Sequence, residues 1–278
     1  MNVDVHGLLD LSVEGLLGQL IAVLGIRGSG KSNTAAVLME ELLAAGVPLQ
    51  VVDVAGEYHT LKDEFERVAV IGRSLSTKVD VGLGFENAPQ VAETAYLNGV
   101  PTILDLSGVA SAEREDLLFL YFKRVWELAA VRRIPTFVFL EEAHTWVPQR
   151  GKTAVSSLFI DIACEGRKRG LSVVVIGQRS ARIDKDVLTQ ADTAFLHRVR
   201  HPSDMAVYKA MMSIPPRNVQ TMVERLGTGQ ALVLRDGRPI RYEIRQRRTQ
   251  HVGATPTLAN LPAPTQLSLL DLLGGGAG

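Results

Sequence analysis

The stretch Gly25-Ile-Arg-Gly-Ser-Gly-Lys-Ser32 lies between an apolar run, Leu20–Ile26, and a helical pattern, Lys31–Ala45, and it decides the fold. It fits G-x-x-x-x-G-K-[ST] in the strand-to-helix setting that this pattern requires. Glycines let the backbone curl so that successive N–H groups face phosphate oxygens, and the helix N-terminus adds its positive end. Lys31 then reaches the β- and γ-phosphates of a nucleotide as a point charge, and the Ser32 hydroxyl is placed to bind magnesium. ATP and Mg2+ are the expected cofactors, with Gly25, Arg27, Gly28, Ser29, Gly30, Lys31, Ser32 and Asn33 around them. A dinucleotide-binding alternative would use Gly28-x-Gly30-x-x-Asn33 with Asp53 ending the next strand. It fails, because its third glycine is Asn33 and it leaves Lys31 and Ser32 without a role.

Further apolar runs follow at Leu49–Val54, Thr102–Leu106, Thr136–Leu140, Leu171–Gly177 and Thr193–Val199, with helical patterns at Ala112–Arg132 and Val155–Arg169. Nearly continuous apolar strands belong to a parallel sheet covered on both faces, so the chain reads as an α/β P-loop domain. Beyond Val199 two short helical segments, Pro202–Met212 and Pro216–Leu226, lead to a hairpin of Gln230–Arg235 and Ile240–Arg245 turned at Asp236–Gly237. Residues 1–252 are expected to form the motor domain. Residues 253–278, rich in Pro and Gly, are expected to form a flexible tail whose apolar stretch, Leu267–Leu273, reads as a frayed end or as a docking segment.

With 46% hydrophobic and 22% charged residues among 278, the chain can bury a full core. Its zero net charge neither favours nor excludes a nucleic acid, since a local basic lining can sit inside a neutral whole. A single cysteine, Cys164, excludes an intrachain disulfide and a cysteine-built metal site. The N-terminus has no basic region of the kind that opens a signal peptide, and no apolar stretch reaches the roughly 18 residues that span a bilayer. A cytoplasmic protein without a membrane partner is expected.

Thr136-Phe-Val-Phe-Leu-Glu141-Glu142 delivers two acids at the end of a buried strand. Magnesium takes few protein carboxylates and keeps several waters, so Glu141 is assigned to the metal shell. Glu142, facing the other way, is assigned to the attacking water. Gln178, at the end of Leu171–Gly177, is the candidate γ-phosphate sensor. The basic run Glu165-Gly-Arg-Lys-Arg169 reads either as a solvated face or as the carrier of an arginine finger, Arg167, for a neighbouring subunit. His197 and His201 have i, i+4 spacing but straddle a strand end, which argues against a metal pair.

The motifs Gly28-Ser-Gly-Lys-Ser-Asn33, Asp53-x-x-Gly56-Glu57-Tyr58, Glu141-Glu-Ala-His144, Glu165-Gly-Arg-Lys-x-Gly170 and Gln178–Arg179 follow one another in order. Together they resemble the HerA–FtsK family of DNA-translocating ATPases, in particular its HerA branch, from about Asp10 to Val252. The resemblance implies a RecA-like core, a hexameric ring with ATP at subunit boundaries, and duplex DNA in the central hole. By position Arg167 matches the family's trans-acting arginine, and Asp53 and Glu57 match acids near the nucleotide. The family's usual β-barrel before the P-loop is missing here, where about 20 residues precede the first strand. A nearly bare motor is therefore expected, with a nuclease or other effector less firmly implied. Compact members of the superfamily package viral genomes.

Loops facing such a hole would hold phosphates with Lys and Arg. Arg150 and Lys152, in Thr145-Trp-Val-Pro-Gln-Arg-Gly-Lys152, are the first candidates, and Arg182 and Lys185 the second; ordinary surface charge is the alternative for both. Trp146 is expected to pack against the motor. The leading function is an ATP-driven duplex-DNA translocase. The alternatives are a viral or mobile-element genome-packaging ATPase and an assembly ATPase ring that moves no DNA.

Overall fold

The computed structural model describes residues 12–73 and 79–250. Its frame is a ten-stranded sheet of β1 (Leu20–Leu24), β2 (Leu49–Asp53), β3 (Ala69–Gly72), β4 (Val81–Gly82), β5 (Thr102–Asp105), β6 (Thr136–Leu140), β7 (Leu171–Gly177), β8 (Thr193–Leu196), β9 (Gln230–Arg235) and β10 (Arg238–Glu243). The spatial order is β10-β9-β8-β1-β7-β6-β2-β5-β3-β4. Every pairing from β8 to β4 is parallel, and β9 and β10 add an antiparallel edge. The helices are α1 (Val13–Leu16), α2 (Lys31–Ala44), α3 (Leu61–Glu64), α4 (Ala88–Leu97), α5 (Ser111–Arg132), α6 (Ala143–Trp146), α7 (Ala154–Glu165), α8 (Lys185–Thr189), α9 (Pro202–Met211) and α10 (Pro216–Glu224).

The central strands are continuous apolar runs because both faces of the sheet are covered there, whereas β4 and β10 at its edges are largely exposed. Successive side chains point to opposite faces. Leu20, Ala22 and Leu24 of β1 join Val138 and Leu140 of β6 and Val173 and Val175 of β7 in a core with α4, α5, α7 and α9. Ile21, Val23, Phe137, Phe139, Val174 and Ile176 face the other way, onto α2. On the first face the rings of Phe122 and Phe159 meet edge-on at 4.9 Å, and Trp146 meets Phe159 at 6.5 Å. Trp146 is therefore packed in the core, 1% exposed. Among the described residues no helix is long and apolar enough to cross a membrane.

Element ends follow local chemistry. Thr153 and Ser156 form a capping box at the start of α7. The helix read as running to Arg169 stops at Glu165 and tightens into a 3-10 turn over Gly166–Arg169. Gly170 closes that turn with φ of 79°, so near Arg133 that a Cβ would lie 2.9 Å from its carbonyl oxygen. In the hairpin Asp236 and Gly237 both have positive φ, 52° and 71°, which makes a two-residue turn. Pairing therefore resumes at once, Arg238 opposite Arg235, and β10 begins two residues before the expected Ile240. Two strands and one long helix were not anticipated: β3 and β4 are short and lie at the sheet edge, and α4 is built on small residues, with Ala88, Ala92 and Ala95 buried. The tail expected over 253–278 lies outside the described residues.

Parallel strands point their carboxyl ends to one edge, where α/β sheets bind ligands. The loops after β1, β2, β6 and β7 emerge there together.

Candidate active site

The loop from Gly25 to Ser32 leaves β1 at that edge and turns into α2, with Gly30 as N-cap at φ of 107°. Packing fixes two of its glycines. A Cβ on Gly25 would lie 2.5 Å from Cβ of His197, and one on Gly30 would lie 2.9 Å from Cα of Gly229. Ser29 is buried behind the loop, its Oγ donating to the Ile26 carbonyl at 2.7 Å. Lys31 Nζ donates to the same carbonyl at 3.0 Å. Burial lowers the Lys31 pKa, and the charges of Glu142, Glu141 and Glu57 oppose that shift.

Beneath the loop His197 is fully buried, Nε2 2.9 Å from Thr34 Oγ1 and Nδ1 2.9 Å from the Gln230 carbonyl. Burial pushes its pKa down to about 4, so the imidazole is neutral. A carbonyl can only accept, which places the proton on Nδ1 and leaves Nε2 to accept from Thr34. His197 thus ties the first turn of α2 to β9. His201 bonds instead to Ser203 at 2.7 Å, so the two histidines form no metal pair.

The P-loop opens on a cleft of about 640 Å³. Arg27, Gly28, Gly30, Lys31, Ser32 and Asn33 line one wall, and Glu57, Glu141, Glu142 and Gln178 the other. Thr228, Gly229, Gln246 and Arg247 close the third side. Three residues expected around the nucleotide, Gly25, Ser29 and Asp53, are not in the walls. Asp53 is fully buried, and its carboxylate accepts the N–H groups of Gly56, Glu57 and Tyr58 at 2.8, 3.1 and 2.9 Å. It shapes the turn that presents Glu57. Asn33 lines the cleft, but both ends of its amide are taken: Nδ2 donates to the Arg245 carbonyl at 2.7 Å, and Oδ1 accepts from Arg247 N–H at 2.9 Å. With Arg245 paired to Glu40 and Glu41 at 2.8 and 2.6 Å, this clamp fixes the C-terminal segment across α2.

The two acids diverge because Glu142 adopts a left-handed conformation, φ 50° and ψ 48°. That conformation costs a residue with a Cβ roughly 1–2 kcal/mol and is often found where chemistry requires it. Glu141 is 8% exposed, its Oε2 accepting from Val54 N–H at 3.2 Å. Burial first, then the nearby charges of Asp53 and Glu57, pushes the Glu141 pKa up to about 9. Asp53 is held by three N–H groups, so the proton shared by this pair resides on Glu141 at neutral pH. Glu142 is the opposite case. His144 and Gln178 hold its carboxyl below the ordinary value against the effect of burial. Gln178 Nε2 donates to Glu142 Oε1, while Glu142 Oε2 faces His144 Nδ1 at 3.3 Å. Trp146 Nε1 donates to the Glu141 carbonyl at 2.7 Å and anchors the strand end.

Other candidate residues lie elsewhere. Arg167 is exposed at the opposite edge of the sheet, before β7, with its side chain against Gly18 before β1. A five-residue strand separates it from its own P-loop by about 16 Å. The two candidate DNA-binding segments meet: Pro148 bridges Ile183, and Gln149 N–H donates to the Arg182 carbonyl at 2.8 Å. Arg150, Arg182 and Lys185 are exposed on this joined surface. Lys152 pairs with the buried Asp184 at 2.9 Å. Sequence reasoning quoted His144 only within a motif and His197 only as half of a disfavoured metal pair, and it missed Gln246 and Arg247, which only the Arg245-Gln-Arg-Arg248 run after the hairpin hinted at.

Residues 7–88 match the family model described as "Helicase HerA, central domain". The DNA double-strand break repair helicase HerA of Pyrococcus furiosus is 32% identical over 101 residues, which are 36% of this chain and 18% of that protein. A probable DNA double-strand break repair helicase HerA of Methanocaldococcus jannaschii is 27% identical over 100 residues, 36% of this chain and 20% of the relative. The matched stretch thus spans about a fifth of each of these curated relatives. In fold, the chain is similar to the genome packaging NTPase B204 of Sulfolobus turreted icosahedral virus 2, solved with ATP-gammaS, at TM-score 0.56 and 15% identity. That match covers 82% of this chain and 98% of the viral one. VirB4 of Thermoanaerobacter pseudethanolicus matches at TM-score 0.59 and 13% identity, covering 82% and 90%. Over residues 7–88, which carry the P-loop and the Asp53–Tyr58 motif, the chain thus resembles the HerA central domain, and its sheet has the fold of the P-loop NTPases.

Proposed function

We propose that this chain is the motor domain, over residues 1–252, of a homo-oligomeric ring that hydrolyses Mg-ATP at its subunit boundaries and moves duplex DNA. The observation that carries the reading is the division of charge at the end of β6. An ionised Glu142 and a protonated Glu141 stand side by side in the cleft that holds Lys31 and Ser32.

A general base must be ionised to accept a proton, and Glu142 is. Its Oε2 orients the attacking water, whose oxygen bonds to the γ-phosphorus while the bond to the β-phosphate oxygen breaks and ADP leaves. The water proton passes to Glu142. Gln178 holds Oε1 of that carboxylate, so its own position depends on what occupies the γ-phosphate site. Lys31 neutralises the β- and γ-oxygens. Ser32 and Glu141 fit magnesium, since both line the cleft and the ion needs few protein ligands. Bound there, it would neutralise phosphate charge. Glu141 must lose its proton to serve, which couples metal binding to proton release.

Arg167 cannot reach its own cleft. In a ring it is offered to the neighbouring subunit, as the position of the family's trans-acting arginine suggests. The surface of Arg150, Arg182 and Lys185 is the proposed contact with DNA phosphates; Lys152 contributes less because Asp184 already balances it. A second reading is a genome-packaging motor, favoured by the fold match that spans 98% of the viral NTPase chain. The test is the ATPase rate with and without duplex DNA, alongside the mass of the assembly. Stimulation by duplex of any sequence, in a closed ring, is the expected result. A ring whose rate ignores DNA would instead indicate an assembly ATPase that scaffolds an effector such as a nuclease.

A further inference from the structure

A second cleft, of about 560 Å³, lies on the far side of the hydrolytic wall. Val54, Glu142 and Gln178 line both clefts and form a shared wall between the P-loop cleft and the second space. Three arginines line it, Arg114, Arg179 and Arg182, together with His144. Arg114 Nε donates to the Val109 carbonyl at 2.9 Å, and none of the three is paired with a carboxylate among the described residues. Ser111 at the start of the 22-residue α5 also lines the cleft, adding the positive end of that helix. Against these stand two carboxylates, Glu115 and Glu142. Guanidinium groups suit tetrahedral oxyanions because their N–H fork binds two oxygens at once.

We propose that this cleft binds inorganic phosphate, the second hydrolysis product, and is its exit. The inference rests on the ATPase reading above. ADP remains on the P-loop, while the cleaved phosphate passes between Glu142 and Gln178 into the arginine-lined space. Gln178 then reports departure of phosphate as well as its presence. The same chemistry would also hold a backbone phosphodiester, so the test must separate the two sources.

The probe is inorganic phosphate titrated calorimetrically into the Lys31→Ala protein, which lacks the P-loop cation and does not hydrolyse. One saturable site is expected to remain. Adding Arg114→Ala and Arg179→Ala should weaken it at least about tenfold, since each substitution removes a charge-assisted contact. The lysine pair Arg114→Lys and Arg179→Lys should keep most of the affinity. In an otherwise wild-type chain, Arg114→Ala with Arg179→Ala should bind ATP-gammaS normally, which certifies its fold, yet release phosphate more slowly than ADP. Absence of phosphate binding to Lys31→Ala, or binding indifferent to the arginines, overturns the proposal. Displacement of phosphate by duplex DNA, with weaker DNA binding by the alanine pair, overturns it in favour of a backbone contact. The calorimetric outcomes in the Lys31→Ala background do not require hydrolysis, so they separate failure of this proposal from failure of the ATPase reading, which the product-release measurement presupposes.

Discussion

The two edges of the central sheet differ in how their polar groups are used. At the amino-terminal edge they are closed. Leu20 N–H donates to Asp192 at 2.9 Å, Gly18 N–H to Ser172 at 2.8 Å, and Thr193 to Gln19 at 2.8 Å. Arg169 stacks 3.6 Å from the Trp126 ring centroid and donates to the Trp126 carbonyl. At the carboxyl edge they are left open. Among the described residues, the buried side-chain atoms without a well-formed hydrogen bond belong to Gln50, Tyr58, Glu142, His144, Arg198 and Arg247, and all but Gln50 sit at or beside that edge. The same edge holds the left-handed Glu142 and the Asp53–Glu141 pair that keeps a proton. One edge stabilises the domain. The other keeps strained and unsatisfied groups, each of which costs stability and is poised for ligand.

Arg167 is exposed on the closed edge, and it offers the most severe challenge to this contrast. Arg167→Ala should lower the hydrolysis rate by about 10³, the usual scale for an arginine finger, with nucleotide affinity unchanged. Mixed with Lys31→Ala subunits it should regain activity, since each mutant supplies the half the other lacks. Mixtures that regain nothing would place its action within its own chain, and the edges would no longer divide as described. Lys31→Ala alone should weaken ATP-gammaS binding about a hundredfold or more, because it leaves buried phosphate charge unpaired. Near-normal affinity by calorimetry would remove the open edge from nucleotide binding altogether.

Two smaller effects test stability. Glu141 has a folded pKa above its unfolded value, so between about 4.5 and about 9 the folded state holds an extra proton. Stability of the nucleotide-free protein should therefore fall as pH rises through that window. Glu141→Gln should flatten the decline and melt higher than the parent at pH 8, by about 2–4 °C for each kcal/mol recovered. An unchanged melting profile would show that the pair is not strained. Arg169→Ala, on the closed edge, should cost about 1–2 kcal/mol in denaturant unfolding and leave turnover unaltered. A loss of turnover without a loss of stability would contradict the structural role given to that edge.

Much of this was legible in the chain because it is local. A P-loop is read within eight residues, and acids after four apolar residues are read from a single strand. What escaped is non-local or conformational. Asn33 lines the cleft, but its amide is taken up by the backbone of Arg245 and Arg247, more than 200 residues away. Asp53 was expected there too, yet three N–H groups of its own turn claim its carboxylate. Lys152 meets Asp184 only because Pro148 and Ile183 pair across two loops. His197 showed in the sequence only as a polar residue within an apolar run, at a spacing from His201 that pointed to no role. The left-handed turn at Glu142, which sends the two acids apart, is invisible in a residue type that rarely adopts it.

The most direct test is single-turnover hydrolysis of Mg-ATP by Glu142→Gln and Glu141→Gln, with ATP-gammaS affinity measured in parallel. Glu142→Gln should bind as tightly as the parent and hydrolyse about 10²–10⁴ more slowly, the scale of a lost general base. Glu141→Gln should instead lose the tightening that magnesium gives to nucleotide binding. If Glu141→Gln traps bound ATP while Glu142→Gln turns over at the parental rate, the division of charge at the end of β6 has been assigned the wrong way round.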